Sequence, residues 1–224
     1  MVLPAAAMKL ICFDMDGVIF EHSNFWVELH KALGTWQEGK VVTEKYLWTN
    51  YEMLVKEVVG RLWKGKPAKE YYDLVARQTY KKGACETIQE LKKRGYKVAI
   101  ISSGPKDLAK RAQHECGVDY IYTNELVIEN GVVLGTADMK YWPIRATSKA
   151  DALRTLCEEH MLDLKDIIAV GHDDGDIKMA RTAGFSIALN SHSEELKKYC
   201  NVVLEGDDVR VILPVIEQFE QQRI

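Results

Sequence analysis

The fold is decided by residues 9–18, which read KLICFDMDGV. The apolar residues 10–13 predict a short buried strand, because the run is too short for a helix and is bounded by polar residues. Two aspartates, Asp14 and Asp16, follow this strand directly, and Gly17 comes after them. The sequence therefore predicts a strand that ends in a pair of carboxylates.

Further apolar runs are spaced along the chain, and segments with helical periodicity separate most of them. A glycine follows two of these segments at a typical C-cap position, Gly95 and Gly117. Strands that alternate with helices predict an α/β fold, a doubly wound (Rossmann-like) parallel sheet covered on both faces. The predicted strands are residues 10–13, 98–101, 120–122, 167–170, 185–189 and 202–204, and the predicted helices between them include 86–94, 107–116 and 149–161.

Residues 21–82 interrupt this alternation, since they contain no convincing strand and indicate several helices. We therefore predict a core domain of residues 8–20 and 83–224, with a small helical cap domain, 21–82, inserted after the first strand. This insert holds half of the ten tyrosines and four of the five tryptophans, Trp26, Trp36, Trp48 and Trp63. Such aromatic residues can form a small core, line a substrate lid, or do both, and core packing is the more common role.

A second interruption follows the third predicted strand, within residues 124–135. Asn130-Gly131 lies there between two apolar runs, and this dipeptide favours a tight hairpin because both turn positions need a positive φ. The sequence therefore predicts a β-hairpin outside the regular strand–helix alternation.

Composition excludes several classes of partner. The chain has 224 residues, 47% of them hydrophobic, which is enough for one sizeable core with a smaller appended unit. Its net charge is −3 and its charges are interspersed, so nothing favours nucleic acid or a membrane surface as a partner. No apolar run approaches the roughly 20 residues of a membrane span, and no feature indicates an oligomeric state.

The cysteines and the N-terminus both indicate a cytoplasmic protein. Five cysteines, an odd number without a Cys-x-x-Cys pair, predict scattered core thiols in a reducing compartment. The N-terminus lacks the basic region of a signal peptide, and Lys9 interrupts its apolar run. Met8 is an alternative start, which would make residues 1–7 an extension.

Polar residues follow several of the predicted strands. Ser102 and Ser103 come after the second strand, Lys149 opens a helix, and residues 171–176, GHDDGD, follow the fourth strand. Ligands of parallel α/β sheets bind outside the carboxyl ends of the strands, where these groups and Asp14 are expected to converge. Carboxylates, hydroxyls and an amine around one crevice predict a metal and phosphate site.

These four motifs resemble those of the haloacid dehalogenase superfamily, and in particular its phosphoserine-phosphatase-like phosphatases. They are residues 14–18, DMDGV, the strand-ending Ser102, Lys149, and the acidic loop 171–176. Their order and strand positions match, and the resemblance covers nearly the whole chain. It implies a magnesium-dependent phosphatase that hydrolyses a small phosphorylated metabolite through an aspartyl-phosphate.

Two aspartates are expected to carry the chemistry. Asp14 is the candidate nucleophile, because a covalent carboxylate intermediate divides hydrolysis into two easier displacements. Asp16 is the candidate acid and base, which protonates the leaving alkoxide and then accepts a proton from water. Dehalogenases of the family lack this second aspartate, so Asp16 favours phosphate chemistry.

A hydroxyl and an amine are expected to bind the phosphoryl group. Ser102 and the next backbone N–H would donate to its oxygens, although Ser103 is an alternative source of the hydroxyl. Lys149 would neutralise charge on the phosphoryl group and on Asp14. Lys140 is the alternative amine, but the spacing to the acidic loop favours Lys149.

The resemblance also implies a metal site that differs from the family's usual pattern. Mg²⁺ would be bound by the Asp14 carboxylate, the Asp16 backbone carbonyl and an acidic residue of the loop. The family usually has aspartates at the two positions that are His172 and Asp176 here. Neutral imidazole is a poor magnesium ligand, because this cation favours hard oxygen donors.

Three alternatives follow from His172. Asp173 can ligate the metal in its place, which the nearby Asp174 and Asp176 make the favoured alternative. His172 can itself ligate, which would favour Mn²⁺, Co²⁺ or Ni²⁺. Alternatively, metal affinity is impaired and the protein is a weak enzyme.

The substrate is only loosely indicated. Phosphoserine phosphatases hold the amino group of serine with an acidic residue, whose matching position is Ser23, although Glu21 lies two residues earlier. Lys56 loosely corresponds to the arginine that holds the serine carboxylate. The aromatic insert suggests a substrate with some apolar or ring surface.

Other functions use similar residues. A phosphotransferase or phosphomutase would share all four motifs, and a catalytically weak phosphate-binding relative is an alternative because of His172. A receiver domain would have its phosphorylated aspartate after the third strand, where this chain has Thr123-Asn124, and would lack the long insert.

Overall fold

A computed structural model describes residues 9–21, 24–145 and 147–222. The proposed extension 1–7, the alternative start Met8 and the candidate position Ser23 lie outside the described residues.

One six-stranded sheet organises the chain, and every neighbouring pair of its strands is parallel. Each of the six strands predicted from the sequence is present, and the doubly wound α/β class is confirmed. In spatial order the strands are β3 (Tyr120–Asn124), β2 (Tyr96–Pro105), β1 (Lys9–Phe13), β6 (Ile167–Gly171), β7 (Phe185–Leu189) and β8 (Val202–Leu204).

Strand β1 lies at the point where the strand order reverses. It pairs with β2 on one side and with β6 on the other, so connections leave it in both directions across the sheet. A crevice opens outside the carboxyl ends of the strands at such a switch point, and ligands of open α/β sheets bind there. The residues that follow β1 and β6, together with Ser102 and Ser103 in the irregular end of β2, therefore face a common space.

Helices cover both faces of the sheet. Because successive side chains of a strand point to opposite faces, Ile11 and Phe13 belong to one apolar cluster, whereas Leu10 and Cys12 belong to another. The helices are α1 (Phe25–Ala32), α2 (Trp36–Tyr46), α3 (Tyr51–Glu57), α4 (Ala68–Arg77), α5 (Ala84–Lys93), α6 (Lys106–Cys116), α7 (Lys149–His160), α8 (Ile177–Thr182), α9 (Glu194–Tyr199) and α10 (Ile212–Gln221). Helices α5, α6 and α10 contribute to the first cluster, and α7 and α8 to the second.

Helices α1–α4 form the insert between β1 and α5. A π-helical segment, Val58–Trp63, continues α3, and the buried side chains of Phe25, Trp63 and Tyr71 join the apolar cluster on one face of the sheet. The insert is helical, as the sequence predicts, while its division from the core as a separate domain remains a prediction.

The predicted hairpin is present as β4 (Ile128–Glu129) and β5 (Val132–Val133). Asn130 and Gly131 adopt φ values of 50° and 77°, the left-handed conformation that the turn requires. Strand β5 also exchanges backbone hydrogen bonds with the chain before α4, since Gly65 N donates to the Val133 carbonyl over 2.9 Å. The hairpin thus fixes the insert to the rest of the molecule.

Two cysteines differ from the prediction. Cys85 of α5 and Cys116 of α6 are paired as a disulfide, with Cα atoms 4.6 Å apart, so the prediction of unpaired thiols is wrong for these two. Their pairing depends on the packing of α5 against α6, which their sequence spacing does not reveal. Cys12, Cys157 and Cys200 are free thiols.

Across the described residues, no helix combines the length and the apolar character needed to cross a membrane.

Candidate active site

The end of β1 delivers Asp14 to the switch-point crevice. Asp14 N donates to the Val170 carbonyl over 2.9 Å, which extends the pairing of β1 with β6 by one residue. The side chain of Asp14 is almost completely buried, with 2% of the residue exposed. A buried carboxylate needs charged or hydrogen-bonding partners, and its surroundings supply them.

Lys149 binds Asp14 directly. As the first residue of α7, it directs Nζ to 2.9 Å from Asp14 Oδ1 and 2.7 Å from Asp176 Oδ1. All three side chains are buried. Lys140, the alternative amine, lies in an exposed turn and pairs with Asp138 instead.

The surrounding charges keep this pair ionised. Burial alone would raise the pKa of Asp14, but the charges of Lys149 and His172 outweigh it and hold that pKa well below its usual range. Burial alone would lower the pKa of Lys149, but Asp14 and Asp176 outweigh it and raise that pKa above its ordinary value. A deprotonated Asp14 beside a protonated lysine is the state that a nucleophilic carboxylate needs.

The acidic loop after β6 is held by its own backbone. Asp176 Oδ2 accepts hydrogen bonds from His172 N over 2.8 Å and from Asp173 N over 3.2 Å. Asp173 Oδ1 in turn accepts from Gly175 N over 2.8 Å. Since Asp176 Oδ1 contacts Lys149, both oxygens of Asp176 already have partners, and its carboxylate acts as a clamp between loop and lysine.

His172 directs its ring at the nucleophile. Its Nδ1 lies 3.3 Å from Asp14 Oδ2 and 3.8 Å from Asp176 Oδ2. A Cβ added at Gly17 would lie 2.4 Å from Nε2 of this ring, so the ring packs where only glycine leaves space. Burial alone would lower the pKa of His172, but the neighbouring carboxylates of Asp14, Asp176 and Asp173 raise it to about 9.

The cluster has the composition of a cation site. Ligand atoms of Asp14, His172, Asp173 and Asp176 all lie within 4.8 Å of one another. Asp14 Oδ1 and His172 Nδ1 are both buried, and their contacts here are with the charged groups of the cluster itself. Both oxygens of Asp176 already have partners, which favours Asp14, His172 and Asp173 as donors while Asp176 stays a candidate, and this set of oxygen and nitrogen donors fits a divalent ion.

The side chains of Asp16 and Ser102 both approach Gly104. A Cβ added at Gly104 would be 3.1 Å from Asp16 Oδ1 and 3.4 Å from Ser102 Oγ. Asp16 Oδ2 also accepts from Phe25 N over 2.8 Å, which ties this carboxylate to the start of α1. The register of β2 against β3 shifts after Ile101, which gives the residues around Ser102 their irregular backbone.

Ser103 is anchored through its carbonyl, by contacts that the sequence analysis missed. The carbonyl accepts from Trp26 Nε1 over 2.7 Å and from Asn124 Nδ2 over 2.9 Å. Asn124 is completely buried and also bonds both backbone groups of Ile144. Asn124 lies two residues after the third predicted strand, and this position could have indicated a role at the same edge of the sheet.

A cavity of about 310 Å³ separates the insert from the charged cluster. The side formed by the sheet domain presents Ser103, Lys149 and the loop residues Asp173, Asp174 and Gly175. The side formed by the insert includes all four of its tryptophans, Trp26, Trp36, Trp48 and Trp63. The aromatic residues therefore both build the packing of the insert and line the cavity.

Two candidate substrate residues lie elsewhere. Glu21 is exposed and accepts from Thr79 Oγ1 over 3.0 Å, and Lys56 is exposed on α3. Neither residue lines the cavity beside Lys149. The structure thus brings Asp14, Lys149 and the acidic loop together but does not bring Glu21 or Lys56 to them.

A family model described as haloacid dehalogenase-like hydrolase matches residues 8–184. The chain belongs to this family. A phosphoserine phosphatase of Methanocaldococcus jannaschii is 30% identical over 211 residues, 93% of this chain and 98% of the relative. Another from Archaeoglobus fulgidus is 34% identical over 186 residues, 82% of this chain but only 53% of that longer relative.

Solved structures of this haloacid dehalogenase-like hydrolase family agree with the sequence matches. A substrate-bound phosphoserine phosphatase complex has a TM-score of 0.79 and 28% identity, covering 94% of this chain and 99% of the other. The resemblance to phosphoserine-phosphatase-like members is confirmed, and the chain is a phosphatase, a phosphoric monoester hydrolase.

Proposed function

We propose that this phosphatase hydrolyses a small-molecule phosphomonoester through a covalent phosphate on Asp14. The observation that carries the proposal is the position of Lys149 Nζ, 2.9 Å from Asp14 Oδ1 and 2.7 Å from Asp176 Oδ1 at the edge of the cavity. This contact keeps the nucleophile ionised and supplies a positive charge where an anionic phosphoryl group arrives.

In the first step, a carboxylate oxygen of Asp14 attacks phosphorus and the bond to the leaving oxygen breaks. Asp16 donates its proton to that oxygen, so an alcohol leaves rather than an alkoxide. The bond between Asp16 Oδ2 and Phe25 N holds this acid at the junction between site and insert, where the leaving group enters the cavity.

In the second step, water attacks the phosphorus of the aspartyl-phosphate. Asp16, now deprotonated, accepts a proton from this water, and the bond between phosphorus and Asp14 breaks. Inorganic phosphate leaves, Asp14 returns to its carboxylate form, and Asp16 is protonated again. The same two residues thus serve both displacements.

Ser102 and Ser103 are proposed to bind the phosphoryl oxygens. Ser102 Oγ accepts from Gly104 N over 3.2 Å, which leaves its own proton to donate to substrate. The backbone N–H of Ser103 would supply the second donor, since its carbonyl is fixed by Trp26 and Asn124. Donors fixed in advance stabilise developing charge without a cost of reorganisation.

A divalent cation is proposed to be held by Asp14, by the backbone carbonyl of Asp16 and by the loop residues His172 and Asp173. When bound, it would neutralise charge on the phosphoryl oxygens. Mg²⁺ is the ion that the family resemblance implies, and the nitrogen donor of His172 extends the candidates to Mn²⁺, Co²⁺ and Ni²⁺.

The test is release of inorganic phosphate from p-nitrophenyl phosphate, with water as the sole acceptor and a divalent salt present. Asp14→Asn should lose at least about 10⁴-fold in kcat, because an amide cannot form the covalent intermediate. Trapping with acid should recover phosphate on the wild-type protein but not on this variant.

Asp73→Asn is the matched control, because Asp73 is an exposed carboxylate on α4 that pairs with Lys69 on the surface. It should keep wild-type turnover. Turnover by Asp14→Asn at the wild-type rate would end the proposal, and product that forms only when a second alcohol is added would favour a phosphotransferase.

A further inference from the structure

We propose that the leaving group accepted by this cavity is an uncharged alcohol with an apolar or aromatic body, and that the amino acid serine is a poor fit. The inference rests on the proposed phosphatase function and specifies its substrate class. It sets this chain apart from the phosphoserine phosphatases that it resembles in sequence and fold.

The insert side of the cavity carries no charged side chain among the described residues. Its lining is apolar or neutral, and includes Trp36, Leu47, Trp48 and Val55. Its two titratable groups are His30 and Tyr51: burial lowers the pKa of His30 to about 4 and raises the pKa of Tyr51, so both are neutral at pH 7. His30 Nδ1 also accepts from Trp63 Nε1 over 3.3 Å, which fits the neutral ring.

The arginines of the insert are not part of the cavity lining. Arg61 pairs on the surface with Glu57 over 2.7 Å and with Glu38 over 2.5 Å, and Arg77 is exposed at the end of α4. Neither of them lines the cavity. A substrate carboxylate would therefore find no guanidinium on this side.

The charged residues on the sheet side are already engaged. Lys149 is bound by Asp14 and Asp176, Asp174 accepts from Ser193 Oγ, and Asp173 holds the loop through Gly175 N. An amino-acid leaving group would bring a carboxylate against a described lining whose one cation, Lys149, is already paired. Burying an unpaired charge is strongly unfavourable, whereas an apolar body gains from the same surface.

The aromatic lining indicates what does fit. Trp48 is 58% exposed although it is the largest kind of side chain, and it borders the cavity with Trp36. A contiguous apolar surface that is open to solvent commonly marks a binding site, and Trp36 and Trp48 belong to such a lining together with Leu47 and Val55. At about 310 Å³, the cavity lies at the small end of ligand sites, which suits a ring or short chain beside the phosphate.

The test compares three phosphate esters of primary alcohols: O-phosphoserine, 2-phenylethyl phosphate and ethyl phosphate. All three leaving oxygens are alkyl, so differences report recognition of the alcohol rather than ease of departure. We expect kcat/KM for 2-phenylethyl phosphate to exceed that for O-phosphoserine by about 100-fold, because only the latter leaves charges unpaired. The difference should lie mainly in KM.

Trp48→Ala tests the surface itself. It should lower kcat/KM for 2-phenylethyl phosphate by about 10-fold, through loss of apolar contact, and leave ethyl phosphate unchanged. Tyr72→Ala is the matched control, since Tyr72 is an exposed aromatic residue of α4 that does not line the cavity. It should change neither substrate.

Thr43→Arg tests whether an added positive charge improves the hydrolysis of O-phosphoserine. Thr43 lines the cavity and is half-buried, so a guanidinium there can reach a substrate carboxylate. We expect the ratio of kcat/KM for O-phosphoserine over 2-phenylethyl phosphate to rise at least about 10-fold.

A wild-type preference for O-phosphoserine, or equal losses on both esters in Trp48→Ala, would overturn this inference. Both results would leave the proposed function intact, because phosphate would still be released. Failure of the proposed function is a separate outcome, in which wild type and Asp14→Asn release phosphate equally slowly from p-nitrophenyl phosphate.

Discussion

The two sides of the cavity differ in almost every physical property. The sheet side is built of buried charges that bind one another, centred on Lys149 between Asp14 and Asp176. The insert side is neutral and aromatic, and it is formed by helices rather than by strand ends. Under the proposed function, the residues that carry the chemistry and those that contact the alcohol therefore lie in separate parts of the chain.

The largest expected effect comes from removing the central charge of the sheet side. Lys149→Met keeps an unbranched side chain but leaves two buried carboxylates without their shared cation. We expect kcat for p-nitrophenyl phosphate to fall by at least about 10³-fold, because the developing phosphoryl charge loses its counter-charge. Steady-state kinetics measures this fall, and circular dichroism checks that the variant is folded.

Lys140→Met is the matched control for that prediction. Lys140 is exposed and pairs with Asp138 in the turn before α7, so its loss should change kcat by less than about twofold. If Lys140→Met lost activity and Lys149→Met kept it, the role of phosphoryl-binding amine would have been assigned to the wrong lysine.

The contrast between Lys149 and Lys140 also shows how far the sequence can be interpreted. Motif order and strand ends predicted the parallel sheet and the convergence of Asp14 with the acidic loop. Spacing alone favoured Lys149 over Lys140, and the physical reason is that Lys149, the first residue of α7, places Nζ 2.9 Å from Asp14 Oδ1. Strands, helices and the residues at their ends can be predicted in this way, because they follow from hydrophobic periodicity and from position along the chain.

Other features could not be predicted because they depend on packing between distant segments. Two backbone N–H groups of the acidic loop donate to Asp176, and this follows from the folded shape of the loop. The pairing of Cys85 with Cys116 likewise depends on how their two helices pack. The same holds for Asn124, whose bonds reach Ser103 and the residues before α7. The sequence shows that the insert is rich in aromatic residues, but only the packing of the insert shows which of them border the cavity.

Asp16 lies where the two sides meet, so its loss should depend on the substrate. Asp16→Asn can still accept from Phe25 N, which preserves the start of α1. We expect a loss of about 10²- to 10⁴-fold for alkyl phosphates, which need a proton donor, and a much smaller loss for p-nitrophenyl phosphate. A plot of log kcat/KM against the pKa of the leaving group measures this, and equal losses across it would contradict the acid role.

A substitution of His172 tests whether the charged side of the cavity is adapted to a particular metal ion. His172→Asp replaces the nitrogen donor beside Asp14 with oxygen, which Mg²⁺ prefers. We expect Mg²⁺ affinity to rise by about 10-fold or more while the preference for Co²⁺ and Ni²⁺ falls. Titration calorimetry measures both without relying on turnover, and an unchanged metal profile would show that His172 does not face the ion.

The smallest expected effect concerns the neutral side, through the pH dependence of stability. His30 Nδ1 accepts from Trp63 Nε1 and is within 2.8 Å of Thr35 Oγ1, so a proton on this nitrogen would oppose a neighbouring donor. Burial lowers the pKa of His30 to about 4 in the folded state, against roughly 6.5 in the unfolded chain.

The direction of the effect follows from proton binding. Between pH 6.5 and 4 the unfolded chain binds a proton at His30 that the folded protein does not, so the free energy of unfolding decreases as pH falls through this range. The decrease should be on the order of 2 kcal/mol, and it should be absent above pH 6.5. Urea unfolding at a series of pH values measures this decrease as a shift of the unfolding midpoint.

His30→Gln removes the titration and should flatten the dependence of the unfolding free energy on pH between pH 6.5 and 4. His114→Gln, at an exposed position on α6, should keep the wild-type slope. Equal slopes in wild type and His30→Gln would mean that His30 is charged in the folded protein, and the insert side of the cavity would then not be neutral.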